Sequence, residues 1–245
     1  MTLTVLCSSS SGNGYIIHND NEALILEAGV RFSTAKKALD FNTRIITGVL
    51  ISHIHGDHSK YVEDYLKAGI MVLADKSVFQ EVGTKYSYLC KEVLPGQGYK
   101  VGNFKVVPFP VQHDVPCNGF LIDHPETGRI LFLTDSFMTE YTFPGLSHIL
   151  IEANYADDIL ESNIISGLVH PSMRPRLLQT HMEIETCKSI LQVNDLSRVI
   201  NIILVHLSSQ NSNEERFVRE VRECTGKQVY AAKRGLKLEI NNNPY

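Results

Sequence analysis

Residues 49–58 read Val-Leu-Ile-Ser-His-Ile-His-Gly-Asp-His, an apolar run ending in four potential metal ligands within six residues: His53, His55, Asp57 and His58. His53 and His55 are two residues apart, so in an extended segment their side chains lie on the same side. Gly56 allows the backbone to turn and bring the second pair round to the first. Such packing suits two divalent cations a few ångströms apart. The alternative, a histidine-rich surface loop, is disfavoured because so dense a pattern behind a buried-type strand rarely arises by chance.

Composition places the chain among soluble globular proteins. Its 245 residues, 43% of them hydrophobic and 20% charged, predict one domain spanning residues 1–245 with a substantial core. The formal net charge of −4 argues against a protein that merely coats nucleic acid, but it allows a local basic groove. The five scattered cysteines, the absence of a signal-peptide pattern and the absence of a membrane-spanning stretch predict a cytoplasmic protein with reduced thiols that does not engage a membrane.

Apolar patterning predicts an α/β fold. We expect strands over residues 2–6, 15–17, 23–27, 45–51, 70–73, 104–111, 120–123, 129–134, 148–151, 199–205, 228–231 and 236–240. We expect helices over residues 33–40, 59–68, 75–90 and 183–193, and another from a capping-box pattern at residues 212–215 to about residue 224. Residues 156–180 are expected to be irregular, because Pro171 and Pro175 limit any helix there. The small residues and glycines at 8–14 predict a tight loop, which is either an anion-binding cradle or an ordinary hairpin loop.

Five of the predicted strands end in a polar residue that can bind metal: His53, His113, Asp135, Glu152 and His206. Strand ends that feed loops on one edge of a layered α/β domain are where such sites are built. The sequence therefore predicts that these side chains converge at one edge of the fold.

The segment from Ser52 to His58 resembles the signature of the metallo-β-lactamase-fold hydrolases, which implies a four-layer αββα sandwich. By this resemblance, His53, His55 and His113 would hold one metal ion. Asp57, His58 and His206 would hold the other, and Asp135 would bridge the two. A water shared by two cations has a lowered pKa, so the resemblance implies hydrolysis by a metal-bridging hydroxide, with Asp57 and Asp135 as catalytic residues.

A narrower resemblance, to the YycJ (WalJ) branch of nuclease-like proteins related to tRNase Z, covers most of the chain. It is carried by Ser10-Ser11-Gly12-Asn13, by Glu152-Ala153-Asn154, by His181 after Arg174 and Arg176, and by the segment His206-Leu207-Ser208-Ser209-Gln210-Asn211. The chain departs from that pattern at Glu27-Ala28-Gly29, where an Asp is usual, at Gly14, where a Cys is usual, and in the neighbours of His181. The first departure concerns a structural contact behind the ligands.

The branch implies phosphodiester hydrolysis on nucleic acid, most simply as a DNA exonuclease. His181 would protonate the leaving oxygen or bind a non-bridging oxygen, or else it packs locally at a helix entry. Arg174 and Arg176 would grip a flanking phosphate, or else they are a solvated pair. Together with Ser10, Ser11, Gly12 and Asn13, these arginines form the predicted phosphate-binding set.

Two other functions are compatible with the metal motif. One is a small-molecule hydrolase of the same fold that cleaves an ester, a thioester or a lactone. The other is a non-catalytic metal-binding protein, which is disfavoured because no ligand is missing. The two divalent ions are expected to be zinc or manganese, with iron as a third option, since ligand type alone does not fix the metal.

Overall fold

The computed structural model describes residues 1–80, 82 and 84–242, and within them the strands form two seven-stranded mixed sheets. The first sheet contains β1 (Thr2–Ser9), β2 (Gly12–His18), β3 (Ala23–Leu26), β4 (Ile46–Leu50), β5 (Val72–Ala74), β6 (Cys90–Glu92) and the last strand, β14 (Lys237–Glu239). The second contains β7 (Tyr99–Val101), β8 (Phe104–Val111), β9 (Cys117–His124), β10 (Gly128–Leu133), β11 (Leu146–Glu152), β12 (Asn201–Val205) and β13 (Gln228–Ala231).

The spatial order is β14-β1-β2-β3-β4-β5-β6 in the first sheet and β13-β12-β11-β10-β9-β8-β7 in the second. β3 to β6 are parallel to one another, and so are β10 to β13. The carboxyl ends of parallel strands meet at one edge of a sheet, so the loops that follow β4, β10, β11 and β12 can meet there.

The helices are α1 (Phe32–Ala38), α2 (Gly56–Ser59), α3 (Val62–Lys67), α4 (Asp157–Ile165), α5 (Met173–Thr180), α6 (Ile184–Val193) and α7 (Glu214–Thr225). Within the described residues, none of them is long and apolar enough to cross a membrane.

Alternating side chains divide the core into three apolar layers. Along β10, Ile130 and Phe132 point into the core between the two sheets, whereas Leu131 and Leu133 pack on the other side beneath α6 and α7. The outer face of the first sheet is covered in the same way by residues of α1 and α3. This period-two alternation is what a strand buried on both faces requires. The predicted αββα sandwich is therefore confirmed.

Four local predictions were wrong. The loop predicted at residues 8–14 is confined to Ser10 and Ser11, because β1 extends to Ser9 and β2 begins at Gly12. Residues 156–180 contain α4 and α5, because Pro175 is the third residue of α5, where a helix needs no backbone N–H donor. The predicted helix over residues 75–90 is instead two short 3₁₀ segments, Lys76–Phe79 and Thr84–Leu89, with residues 81 and 83 outside the described part. Helix α7 is capped by Asn213, whose side chain accepts a hydrogen bond from the Arg216 backbone, whereas Ser212 bonds to the Ser208 carbonyl.

Candidate active site

A histidine triad forms the first ligand cluster. One nitrogen atom from each of His53, His55 and His113 lies within 4.8 Å of the others. His113 Nδ1 donates to the carbonyl of Thr180 at 3.0 Å, which leaves Nε2 available to bind a metal ion. His53 Nδ1 lies 2.9 Å from the Ser52 hydroxyl, and its buried Nε2 forms no hydrogen bond with any described residue. The triad thus presents nitrogen lone pairs to one point.

The second cluster consists of Asp57, His58, Asp135 and His206. Asp57 Oδ2 lies 3.3 Å from His58 Nε2 and 3.2 Å from His206 Nε2. Asp135 Oδ2 lies 3.3 Å from His58 Nε2 and 3.7 Å from His53 Nε2, so this carboxylate reaches both clusters. The predicted bridging residue therefore stands between the two sets of histidines.

Glu152 and His181 border the second cluster. The buried Glu152 carboxylate accepts hydrogen bonds from the backbone N–H groups of Ser136 and Met182. Its Oε1 lies 2.7 Å from His181 Nδ1 and 3.1 Å from His206 Nδ1. Glu152 therefore orients two imidazoles at once and directs Nε2 of His181 away from the carboxylate. The sequence singled out Glu152 as a strand end and gave it no role.

Glu27 and Asn13 support the ligands from behind. The buried Glu27 carboxylate accepts a hydrogen bond from the Ser52 backbone and lies 3.4 Å from His58 Nδ1. Glu27, which stands where the resembled branch usually has an Asp, therefore still makes the structural contact behind the candidate ligands. Asn13 Nδ2 lies 3.0 Å from His58 Nε2 and 3.4 Å from Asp57 Oδ2. Asn13 thus braces the ligand loop from the first hairpin.

A buried hydroxyl pair links the first hairpin to His206. The Tyr15 hydroxyl lies 2.7 Å from the Ser8 hydroxyl and donates to Asn13 Oδ1 at 3.3 Å. Ser8 Oγ accepts the backbone N–H of His206 at 2.8 Å. Tyr15 therefore supports two residues of the second cluster indirectly, His206 through Ser8 and His58 through Asn13. Sequence reasoning missed this role, because nothing in a buried strand marks its tyrosine as a polar contact.

Backbone strain is concentrated at three strand ends of the site. Glu27, Asp135 and His206 have φ values of 67°, 46° and 55°, in the left-handed region that side chains other than glycine rarely adopt. Such conformations cost about 1–3 kcal/mol each and persist only where the surroundings enforce them. Buried hydrogen bonds hold these residues in place, as is common at functional sites.

Electrostatics in the two clusters favour a cation. Burial lowers the pKa of His53 well below its usual value, so this imidazole is neutral and its lone pair is free. Burial also acts to lower the pKa of His206, but nearby carboxylates, Asp135 foremost, raise it to about 10. Burial also acts to lower the pKa of His58, but the carboxylates of Asp135 and Glu27 outweigh it and raise this pKa well above its usual value. The carboxylates therefore attract positive charge, which protons or divalent ions can supply.

These residues fit a dinuclear divalent metal site. Imidazole nitrogens and carboxylate oxygens in two adjoining sets suit such ions, and the hydrogen-bonded second nitrogens of His53 and His113 are typical of ligand histidines. The buried Nε2 of His53 is otherwise unsatisfied.

A cavity of about 600 Å³ opens above the ligands. Asp57, Asp135, His181 and His206 line it, as do Ser10 and Arg176 from the predicted phosphate-binding set. Ser11 and Gly12 are not among its lining residues, and Asn13 is buried beneath the ligands. The structure does not bring Arg174 to the cavity: its guanidinium pairs with Asp157 at 2.7 Å and with Glu161 at 3.1 Å.

The chain has the metallo-β-lactamase fold. The chain matches YhfI of Bacillus subtilis, described as a metallo-β-lactamase fold protein, with a TM-score of 0.74 over 97% of this chain and 98% of that one, at 16% identity. It also matches the short form of human tRNase Z with a TM-score of 0.65 over 98% and 99% of the two chains, at 14% identity. At such identities the likeness establishes the fold alone.

Sequence comparison identifies nuclease-named relatives, although no family model matches the chain. The chain is 24% identical over 234 residues to the exodeoxyribonuclease YycJ of Bacillus anthracis, covering 86% of this chain and 84% of that protein. It is also 24% identical over 228 residues to the exodeoxyribonuclease WalJ of Streptococcus pneumoniae, covering 86% and 83%. These matches confirm the resemblance to the YycJ/WalJ branch that the sequence predicted.

Proposed function

We propose that the protein is a metal-dependent phosphodiesterase that hydrolyses nucleic acid, most simply DNA, in the manner of an exonuclease. The observation that carries the proposal is the pair of His181 and Glu152 at the edge of the ligand clusters, with Nδ1 and Oε1 2.7 Å apart. The exodeoxyribonuclease names of the relatives support the same conclusion.

We infer that His181 acts as a proton donor. Burial acts to lower its pKa, but the charge and hydrogen bond of Glu152 raise it above the usual value, which favours the protonated imidazole. The side chain lines the cavity beside His206. A general acid matters most when the leaving group is a strongly basic alkoxide, as in a phosphodiester or a carboxylic ester. A thiolate needs no such help, because the thiol pKa is only about 8.5.

The ligand side chains would hold two divalent ions, with His53, His55 and His113 at one, Asp57, His58 and His206 at the other, and Asp135 between them. When bound, such ions supply a water of lowered pKa and positive charge beside the scissile group. Arg176, which forms no ion pair with any described residue, would hold a neighbouring phosphate, and Ser10 would contact it from the opposite hairpin. Arg174 would instead fix α5 against α4.

The test is a substrate panel on protein reconstituted separately with zinc and with manganese. It contains 5′-phosphorylated single- and double-stranded DNA and RNA, together with a thioester, a lactone and a simple carboxylic ester. We expect metal-dependent cleavage of nucleic acid, DNA above RNA. Efficient cleavage of a small ester, thioester or lactone without cleavage of any nucleic acid would favour the small-molecule hydrolase instead.

A further inference from the structure

Helix α5 turns one face toward the cavity. Met173, Arg176, Leu177 and Thr180 stand at positions i, i+3, i+4 and i+7, which form one stripe along an α-helix, and all four line the cavity. Arg174 and Leu178 lie on a different side of the helix and line a separate depression. The cavity therefore has a wall made of a single helix face, in the segment that the sequence predicted to be irregular.

Two apolar side chains, one on this wall and one in the loop before it, are left uncovered by the described residues. Leu168, in the loop before α5, is 70% exposed and Met173 is 41% exposed, yet both line the cavity. Their neighbours Val169 and Leu177 pack instead into a small apolar cluster with Tyr155 and Leu160. The segment thus has its own packing core, and Leu168 and Met173 are left over as an apolar surface beside the metal ligands.

The wall is held in place by polar contacts on its outer side. Arg174 ties α5 to α4 through Asp157 and Glu161. Asn163 of α4 donates to the Gln210 carbonyl and to Asn211 Oδ1, both at 2.9 Å, and so fixes the wall to the segment that follows His206. An apolar surface held in this way is preformed for a ligand, which avoids the cost of ordering it on binding.

Apart from Val169, the rest of the cavity is lined mainly by polar residues. The ligand side chains form its floor, and Ser208, Ser209 and Gln210 line it as well. Arg176 is the one lysine or arginine among its described lining residues, and it follows Met173 by one helical turn on the same face. The cavity therefore offers an apolar surface, a cation and a candidate hydrolytic centre side by side, which matches the base, the phosphate and the scissile bond of a nucleotide.

We propose that Leu168 and Met173 form the surface on which a nucleobase of the substrate packs, next to the scissile phosphate. The inference rests on the proposed function and deepens it. Neither side chain can read the edge of a base by hydrogen bonding, so packing here favours the presence of a base without selecting its identity. Arg176 holds the phosphate that joins this nucleotide to the next.

The test combines protein variants with substrates that lack one base. A tetrahydrofuran abasic nucleotide is placed in turn at each of the three positions nearest the cleaved end of a single-stranded DNA. For the wild type, one position should raise KM by about 10-fold, which corresponds to losing roughly 55 Å² of buried apolar contact at about 25 cal/mol per Å². In Leu168→Ala/Met173→Ala, KM for intact DNA should rise by a similar factor, and removing the base should then have little further effect.

Ile165→Ala is the matched control, because Ile165 lies in the same segment and is 79% exposed but does not line the cavity. Ile165→Ala should have the wild-type KM for intact DNA and should show the same increase in KM as the wild type when the base is removed. If the fold-changes in KM caused by removing the base and by truncating the side chains are independent and multiply at all three positions, the base does not pack on Leu168 and Met173. That result would overturn the inference. If no nucleic acid is cleaved while bis(p-nitrophenyl) phosphate is, the proposed function itself fails and the inference falls with it.

Discussion

Gly29 should be more important for metal binding than Gly56, although Gly56 lies inside the histidine motif. A Cβ built on Gly29 overlaps the carbonyl oxygen of Asp57 and lies 2.5 Å from its carbonyl carbon and 2.6 Å from the backbone nitrogen of Asn13. Carbon atoms pack no closer than about 3.5 Å, so Gly29→Ala must displace one of these backbones by about 1 Å. Around Gly56 nothing lies within 4 Å of the added Cβ, so Gly56→Ala fits.

The displacement is large on the scale of metal coordination, where ligand distances hold to within about 0.2 Å. We expect Gly29→Ala to weaken the second metal by at least about 100-fold, the upper part of the range for disturbed support of a ligand. Activity should fall in parallel, and the free energy of unfolding of the metal-free protein should drop by about 1–3 kcal/mol from overpacking.

The assay is a metal titration by calorimetry on both variants, with urea unfolding of the metal-free proteins. Gly56→Ala should bind two equivalents of metal as the wild type does. Two tight equivalents in Gly29→Ala would show that the backbone of Asp57 does not depend on this close approach.

Three further variants test separate parts of the site and the core. Tyr15→Phe should weaken binding of the second metal by about 10-fold, because the hydroxyl that contacts Ser8 and Asn13 is lost. The control, Tyr65→Phe, removes a buried hydroxyl that donates to the Val30 carbonyl and should leave both metals in place. Equal loss of metal in the two variants would refute the link between Tyr15 and the site. His181→Ala should lower turnover by about 10²–10⁴-fold with metal content intact, as expected for loss of a general acid; loss of metal in proportion to turnover would make His181 a ligand or a structural residue. Burial lowers the pKa of His148 to about 4, so the folded protein is at full stability above the unfolded pKa of about 6.5 and loses about 3 kcal/mol of unfolding free energy as pH falls toward 4. In EDTA, the unfolding free energy of His148→Gln should therefore depend less steeply on pH than that of the wild type. An unchanged slope would contradict this role of His148.

The convergence of the candidate ligands was predictable because the information is local. His53 to His58 are fixed by one short motif, and Asp135 and His206 follow apolar strands whose order along the chain is visible in the sequence. Parallel strands then place these ends at one edge, as the structure shows for the loops after β10 and β12.

The surroundings of the ligands were not predictable, since they depend on contacts between distant segments. The Tyr15–Ser8–His206 link depends on a contact between Ser8 and His206, which are 198 positions apart in the sequence. The two prolines hid α5, although Pro175 lies in its first turn, where it is tolerated. The ion pairs of Arg174, which take it away from the cavity, form only once α4 and α5 pack together.

Asp135 is the residue through which the proposed chemistry can be examined most directly, because its carboxylate reaches both histidine sets. The decisive measurement is hydrolysis of 5′-phosphorylated DNA by metal-reconstituted wild type and Asp135→Ala, with circular dichroism and bound metal recorded on the same samples. We expect metal-dependent cleavage by the wild type and none by the variant, which should remain folded and bind less metal. Full activity in Asp135→Ala would contradict the two-metal assignment.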